Sequence, residues 1–141
     1  MAYKVKKSIE CWIFDRLQGG FLLLKCPETA KHKEYWQPVT GGIELHETKE
    51  EACVREVQEE TGILINQNEI IKLIDKFSVY GENLNLEKTV YILVLDDVAV
   101  TISDEHTGYR WVLPEMVDQM LLWGSNKKTY GSVLKYLKLD V

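Results

Sequence analysis

The stretch "SIECWIFD" alternates, with Ile9, Cys11 and Ile13 on one face and Trp12 and Phe14 on the other, the period of a β-strand. "LQGG" is a turn signal and "FLLLKC" a second strand, so Ser8–Cys26 predicts a hairpin. "PETAKHKEY" is a polar loop with positive charge at Lys31, His32 and Lys33, and "WQPVTGG" predicts a short strand ending in a glycine turn. Thr48 to Thr61 predicts a helix: Thr48-x-x-Glu51 fits a capping box, and Gly62 sits where a left-handed C-terminal cap belongs. "IIKLIDKFSVY" and "EKTVYILVL" predict strands separated by the loop "GENLN". "SDEHTG" reads as a loop, "YRWV" as a short strand, and Pro114 as the opening of a short helix. "NKKTYGSVLKYLKL" predicts a closing amphipathic helix. Strands before and after one central helix predict a mixed α/β sandwich, a single domain over residues 1–141.

The central helix breaks the ordinary charge pattern. "ETKEEACVREVQEETG" gathers glutamates against a single lysine and a single arginine, and like charges one turn apart destabilise a helix. On a wheel, Cys53, Val54, Val57 and Thr61 form one arc, while Arg55, Glu56, Glu59 and Glu60 form another with Ala52 among them. The apolar arc is expected on the sheet and the three glutamates on the opposite side. Arg55 stands four residues from both Glu51 and Glu59 and can orient carboxylates. Three crowded carboxylates cannot all remain ionised cheaply. A hard divalent cation resolves the conflict, and oxygen-only ligands favour Mg2+ or Mn2+ over Zn2+. The bland alternative is a solvated acidic face, but such a face would carry balancing lysines at i,i+4.

Composition narrows the classes. A net charge of −5 on 141 residues argues against sequence-independent nucleic-acid binding, which depends on Lys and Arg neutralising phosphates. The three cysteines form no C-x-x-C pair and are expected to be reduced and buried, as in a cytoplasmic protein. "MAYKVKKSIE" has no apolar stretch suited to a signal peptide, and no segment approaches a membrane span. The expectation is a soluble cytoplasmic monomer or homodimer with no nucleic-acid or membrane partner.

The box "GGIELHETKEEACVREVQEETGI" resembles the Nudix box, G-x5-E-x7-R-E-U-x-E-E-x-G-U with U aliphatic. Gly41, Glu47, Arg55, Glu56, Val57, Glu59, Glu60, Gly62 and Ile63 all match. His46 stands where many members have glycine, a change expected to bear on the loop's shape. The resemblance implies the Nudix α/β/α sandwich and a Mg2+-dependent pyrophosphohydrolase. It implies metal ligands at Glu56, Glu59 and Glu60 with the Gly41 carbonyl, and places Glu47 and Arg55 where they hold loop and helix in register. A bound cation would reverse the local negative charge, bridge phosphate oxygens and activate water. Members commonly place a further glutamate in a late loop as the base, for which Glu105 is the candidate and its neighbour His106 the weaker one.

"YWQPVTGGIE", with "EHTGYRWV" and "WGSNKKTY", is similar to enzymes acting on dATP or dihydroneopterin triphosphate. The implied partner is a nucleotide or pterin triphosphate. Tyr35, Trp36, Tyr80 and Trp111 can stack on a flat ring, with core packing the better reading for Trp12 and Trp111. Lys31, Lys33 and Arg110 can meet outer phosphates. Asn126 either contacts a base edge or caps the last helix. Rival readings are a dinucleoside polyphosphate hydrolase, for which Tyr80 lies in about the right region, and a non-catalytic nucleotide-sensing module. The absence of proline between Pro38 and Pro114 counts against ADP-ribose.

Overall fold

The computed structural model describes residues 4–81 and 83–141. Seven strands make one sheet: β1 (Lys4–Asp15), β2 (Gly20–Cys26), β3 (Tyr35–Gln37), β4 (Val39–Gly42), β5 (Ile71–Tyr80), β6 (Leu84–Leu95) and β7 (Gly108–Val112). Three α-helices flank it: α1 (Lys49–Thr61), α2 (Pro114–Met120) and α3 (Gly124–Leu137). β1 is the central strand. It pairs antiparallel with β2 through Phe14↔Phe21 and with β4 through Ile9↔Gly41, and parallel with β6 from Lys4↔Leu84 to Asp15↔Leu95. β2 also pairs with β3 and β7, and β5 closes the edge beyond β6.

The alternation in β1 sorts two cores onto the two faces of the sheet. Ile9, Cys11 and Ile13 pack with Ala52, Cys53 and Val57 of α1. Trp12 packs on the other face with Val117 of α2 and Tyr130 and Val133 of α3. The layers are therefore helix, sheet, helix. Trp12 is wholly buried and Trp111 half-buried against the α1 core, as their core reading required. The cysteines are free and buried. No helix among the described residues is long and apolar enough to cross a membrane.

Helix α1 begins and ends as its sequence demands. The Thr48 side chain accepts from the Glu51 N–H while Glu51 reaches back to the Thr48 N–H, and Gly62 adopts φ +74°. Pro114 opens α2 at its first turn, where its missing N–H costs nothing. Four boundaries differ from expectation, the first being that of β1, which begins at Lys4 rather than Ser8 because Lys4 already pairs with Leu84 of β6. "WQPVTGG" is two strands, because Pro38 has no N–H for the ladder and the chain changes partner there, from β2 to β1. β6 starts inside the expected loop 81–85, since Leu84 and Asn85 find partners in Lys4 and Val5; residue 82 of that loop lies outside the described residues. Helix α3 starts at Gly124 after the cap residue Trp123, so Asn126 is not its cap.

Candidate active site

Strand β4 meets the first half of the sequence box and α1 carries the second half. Ile43 to Thr48 connects them, and Arg55 ties the assembly together. Its Nη2 donates to Glu47 Oε1 at 2.7 Å and to the Gly42 carbonyl at 2.9 Å, and its Nε to Glu47 Oε2 at 3.1 Å. Nη1 donates to Glu56 Oε1 at 2.8 Å and to Glu59 Oε2 at 3.2 Å. Glu47 also accepts from the Glu44 N–H at 2.8 Å, which pins the loop. The Arg55 guanidinium holds the Glu47 carboxyl below its usual range, while its carboxylate partners, Glu47 foremost, raise the arginine further above its own. One fork-shaped cation thus fixes β4, the loop and two helix carboxylates.

His46 takes φ +72°, the left-handed region that glycine enters freely. The substitution therefore leaves the loop in a conformation suited to glycine, with the histidine bearing the steric cost.

The acidic face is not where the helical wheel placed it. Glu60 is only 2% exposed, and Ala52 is fully buried, so both belong to the face packed on the sheet. The reason lies in β4: Gly41 and Gly42 present no side chains, and α1 approaches their backbone closely. A Cβ on Gly41 would overlap the Glu56 carboxylate. Glu56 and Glu60 are consequently drawn inward beside Gly41, whereas Glu59 stays at the rim with its side chain 58% exposed, joined to the pair through Arg55.

Glu60 is the least satisfied group of the site. Among the described residues neither of its carboxyl oxygens has a hydrogen-bond partner of good geometry, the Glu56 carboxyl and the Thr40 backbone being its polar neighbours. Burial, then the adjacent Glu56 carboxyl and the charge of Glu105, push its pKa up to about 10. The loop from residue 101 to 107 brings His106 against it, with Nε2 at 3.5 Å from Glu60 Oε1. Burial lowers the His106 pKa, opposed by the charges of Glu105 and Glu56. Glu105 itself is an exposed turn residue whose charge is felt at Glu60. Among the described residues no three acidic, histidine or cysteine side chains already converge on one ion position. The pair that fits a hard cation is Glu56 and Glu60: two carboxylates, one with neither oxygen well hydrogen-bonded among the described residues, beside the Gly41 backbone.

On the other side of β4 lies a cleft of about 470 Å3. It is lined by Lys6 and Ser8 of β1, Gln37, Thr40 to Gly42, Val79 of β5, Leu86 and Lys88 of β6, and Trp123, Ser125 and Asn126 at the start of α3. Of the ring-binding candidates, Asn126 lines this cleft and is buried. Tyr35 is half-buried and meets the ring of Trp123 edge-on at 5.6 Å and that of His32 at 4.8 Å. Trp36 packs on the α3 core with Lys25 Nζ 5.8 Å from its ring. Tyr80 is 77% exposed at the end of β5, and Lys31, Lys33 and Arg110 are exposed. The structure thus brings Asn126, Gly41 and, through Trp123, Tyr35 to one place, and leaves Tyr80 and the surface cations outside the lining. Sequence reasoning passed over Trp123, Lys88 and Glu10. The signal for the last two was present: each is a charge set in an otherwise apolar strand.

Comparison with known proteins identifies the family. The NUDIX domain model matches residues 5–132. A rat bis(5'-nucleosyl)-tetraphosphatase [asymmetrical] is 34% identical over 101 residues, 70% of this chain and 67% of that one. A dihydroneopterin triphosphate diphosphatase of Haemophilus influenzae is 25% identical over 97% of this chain and 90% of its own. The crystal structure of a MutT protein from Methanosarcina mazei superposes with a TM-score of 0.79 at 21% identity, covering 99% of each chain, and so shares the fold. Nudix hydrolases generally use divalent metal cations, which suits the buried acidic pair. The arginine fork, the glycine pressed on a carboxylate and the matched family model lead to one conclusion: the chain belongs to the NUDIX domain family and is one of its hydrolases.

Proposed function

We propose that the protein hydrolyses a phosphoanhydride bond in a nucleoside or pterin triphosphate, with the ring in the cleft and the phosphates reaching past Gly41 to the acidic pair. The observation that carries the reading is the buried Glu60 beside Glu56, across β4 from a cleft large enough for one heterocycle. Glu56 and Glu60, with Glu59 from the rim and the Gly41 carbonyl, would hold Mg2+, or Mn2+ in its place. When bound, the cation supplies charge neutralisation for the phosphates and for the leaving oxygen.

The chain's own residues do the rest. Arg55 and Glu47 hold α1 and the loop in register, so that the Glu56 carboxylate stays against Gly41. Glu105, on its exposed turn, takes the proton of the water that attacks phosphorus. Lys6 lies over Gly42, its Cε within 3.5 Å of a Cβ built there, and can meet a phosphate between ring and acid pair. Trp123 supplies an aromatic wall for the ring.

One observation supports a second reading, a dinucleoside polyphosphate as substrate. The His32, Tyr35 and Trp123 rings form an edge-to-face group at the mouth of the cleft, where a second base could rest, and relatives near one-third identity are bis(5'-nucleosyl)-tetraphosphatases. The test is a panel of dATP, 8-oxo-dGTP, dihydroneopterin triphosphate, diadenosine tetraphosphate and ADP-ribose, incubated with and without Mg2+ and analysed for pyrophosphate and monophosphate. Cation-dependent release from a triphosphate is expected. Full activity in EDTA, or cleavage of the tetraphosphate alone, overturns the first reading.

A further inference from the structure

A buried polar network forms one wall of the cleft and takes no part in the chemistry above. Glu10 of β1 is fully buried, and its two oxygens receive donors from four side chains. Oε1 accepts from Lys88 Nζ at 3.0 Å and Asn126 Nδ2 at 2.8 Å; Oε2 accepts from Trp12 Nε1 at 2.9 Å and from the Thr129 hydroxyl. An ionised carboxylate only accepts, so every group facing it must donate. That requirement fixes Asn126. With its amide nitrogen committed to Glu10, its Oδ1 is left as an acceptor. Lys88 gives one N–H to Glu10 and keeps two. Ser8 stands directly across from Lys88 in the β1–β6 register, is 4% exposed, and has a buried Oγ without a partner among the described residues. Ser8, Lys88 and Asn126 all line the cleft.

We propose that this wall reads a ring lactam, an N–H beside a C=O, as presented by guanine, hypoxanthine, uracil or a pterin, in preference to the amino-substituted edge of adenine. An ammonium donates a charge-assisted hydrogen bond, and a carbonyl oxygen is the ring acceptor best suited to it. The Ser8 hydroxyl can donate to the same oxygen, and Asn126 Oδ1 accepts from the neighbouring ring N–H. An adenine amino group toward Lys88 and Ser8 sets a donor against the ammonium. Turned over, adenine offers the cation a ring nitrogen alone, with no exocyclic oxygen for Ser8. Glu10 touches no substrate in this scheme; it is a positioning residue that decides which way Asn126 faces. The inference rests on the cleft being the ring pocket of the proposed function, and goes beyond it by naming the atoms that discriminate.

The probes are IMP and AMP, which differ at the edge in question, titrated against the full chain by calorimetry with intrinsic tryptophan fluorescence as a second signal. IMP is expected to bind ~10-fold or more tightly than AMP, since a site built to hydrogen-bond one edge is left with unpaired polar groups by the other. Glu10→Gln places an amide nitrogen among four donors; Asn126 must turn over to meet it, and the IMP preference should collapse toward unity. A purely structural loss would weaken both ligands alike. Should that variant fail to fold, Ser8→Ala breaks none of the bonds to Glu10 and should weaken IMP several-fold while leaving AMP unchanged. Equal or tighter binding of AMP by the parent protein, binding of neither, or an unaltered ratio in Ser8→Ala overturns the inference. Hydrolysis of ITP and ATP separates the two proposals. Equal turnover of both sinks the lactam preference alone, and absent turnover with the IMP preference intact sinks the proposed function alone.

Discussion

Glu60→Gln should make the metal-free protein more stable, and the gain should grow with pH. The Glu60 carboxyl, pushed up to about 10 by burial and by Glu56, would titrate near 4.3 in the unfolded chain. Below pH ~4 it is neutral in both states and costs nothing. As pH rises past that value the unfolded chain releases the proton while the folded protein keeps it, so stability falls by ~1.4 kcal/mol per pH unit until the folded group titrates. At pH 7 the accumulated deficit approaches ~4 kcal/mol, or roughly 10–15 °C in Tm for a chain of this size. Glutamine has no proton to lose and escapes the deficit. Urea unfolding of parent and variant in EDTA at pH 5, 6, 7 and 8 measures it directly: the difference should widen from ~1 to ~4 kcal/mol between pH 5 and 7. Adding Mn2+ should then stabilise the parent more than the variant, because the variant has lost one of the two buried carboxylates proposed to hold the ion. A variant less stable than the parent in EDTA, or a difference that does not change with pH, would show that Glu60 contributes structurally and that its burial is not held in reserve for a cation.

Gly41→Ala should lower kcat by ~10²-fold or more while near-UV circular dichroism is unchanged, because the new methyl displaces the Glu56 carboxylate and misplacement of ~1 Å is enough for such a loss; normal turnover would mean that the contact does not matter. His46→Gly should raise stability by ~1 kcal/mol in urea unfolding by relieving the positive φ, with activity retained. Glu105→Gln should reduce kcat ~10²–10⁴-fold with KM little changed, partly restored at higher pH as hydroxide replaces the lost base; near-normal kcat would pass the role to a glutamate of α1 or to His106, which the structure sets against Glu60.

Much of the architecture was legible one element at a time. The split of Ile9, Cys11 and Ile13 from Trp12 and Phe14 foretold two cores, one on each face of the sheet. Thr48, Glu51, Gly62 and Pro114 marked helix ends through local backbone chemistry that needs no knowledge of the rest of the chain. What escaped depended on partners. A helical wheel weighs Glu60 as a solvent residue because it cannot know that the facing strand is glycine. Glu10 and Lys88 drew no notice because each strand was considered apart; in the parallel register they become an ion pair at 3.0 Å. Trp123 fell just outside the predicted helix and acquired its neighbours, His32 and Tyr35, from a loop far away in sequence.

The parallel pairing of β1 with β6 joins residues 80 positions apart, so the middle of the sheet cannot close until most of the chain is available. Loop-closure entropy must be spent before that contact returns anything, which places the molecule among slow-folding topologies. During synthesis, β1, β2 and the box helix emerge first, and until β6 docks the Glu10 side chain has no Lys88 to meet. A chain that collapsed with β1 against another neighbour would leave the Glu10 carboxylate in an apolar layer without Lys88, and an unpaired buried charge makes such an arrangement unfavourable.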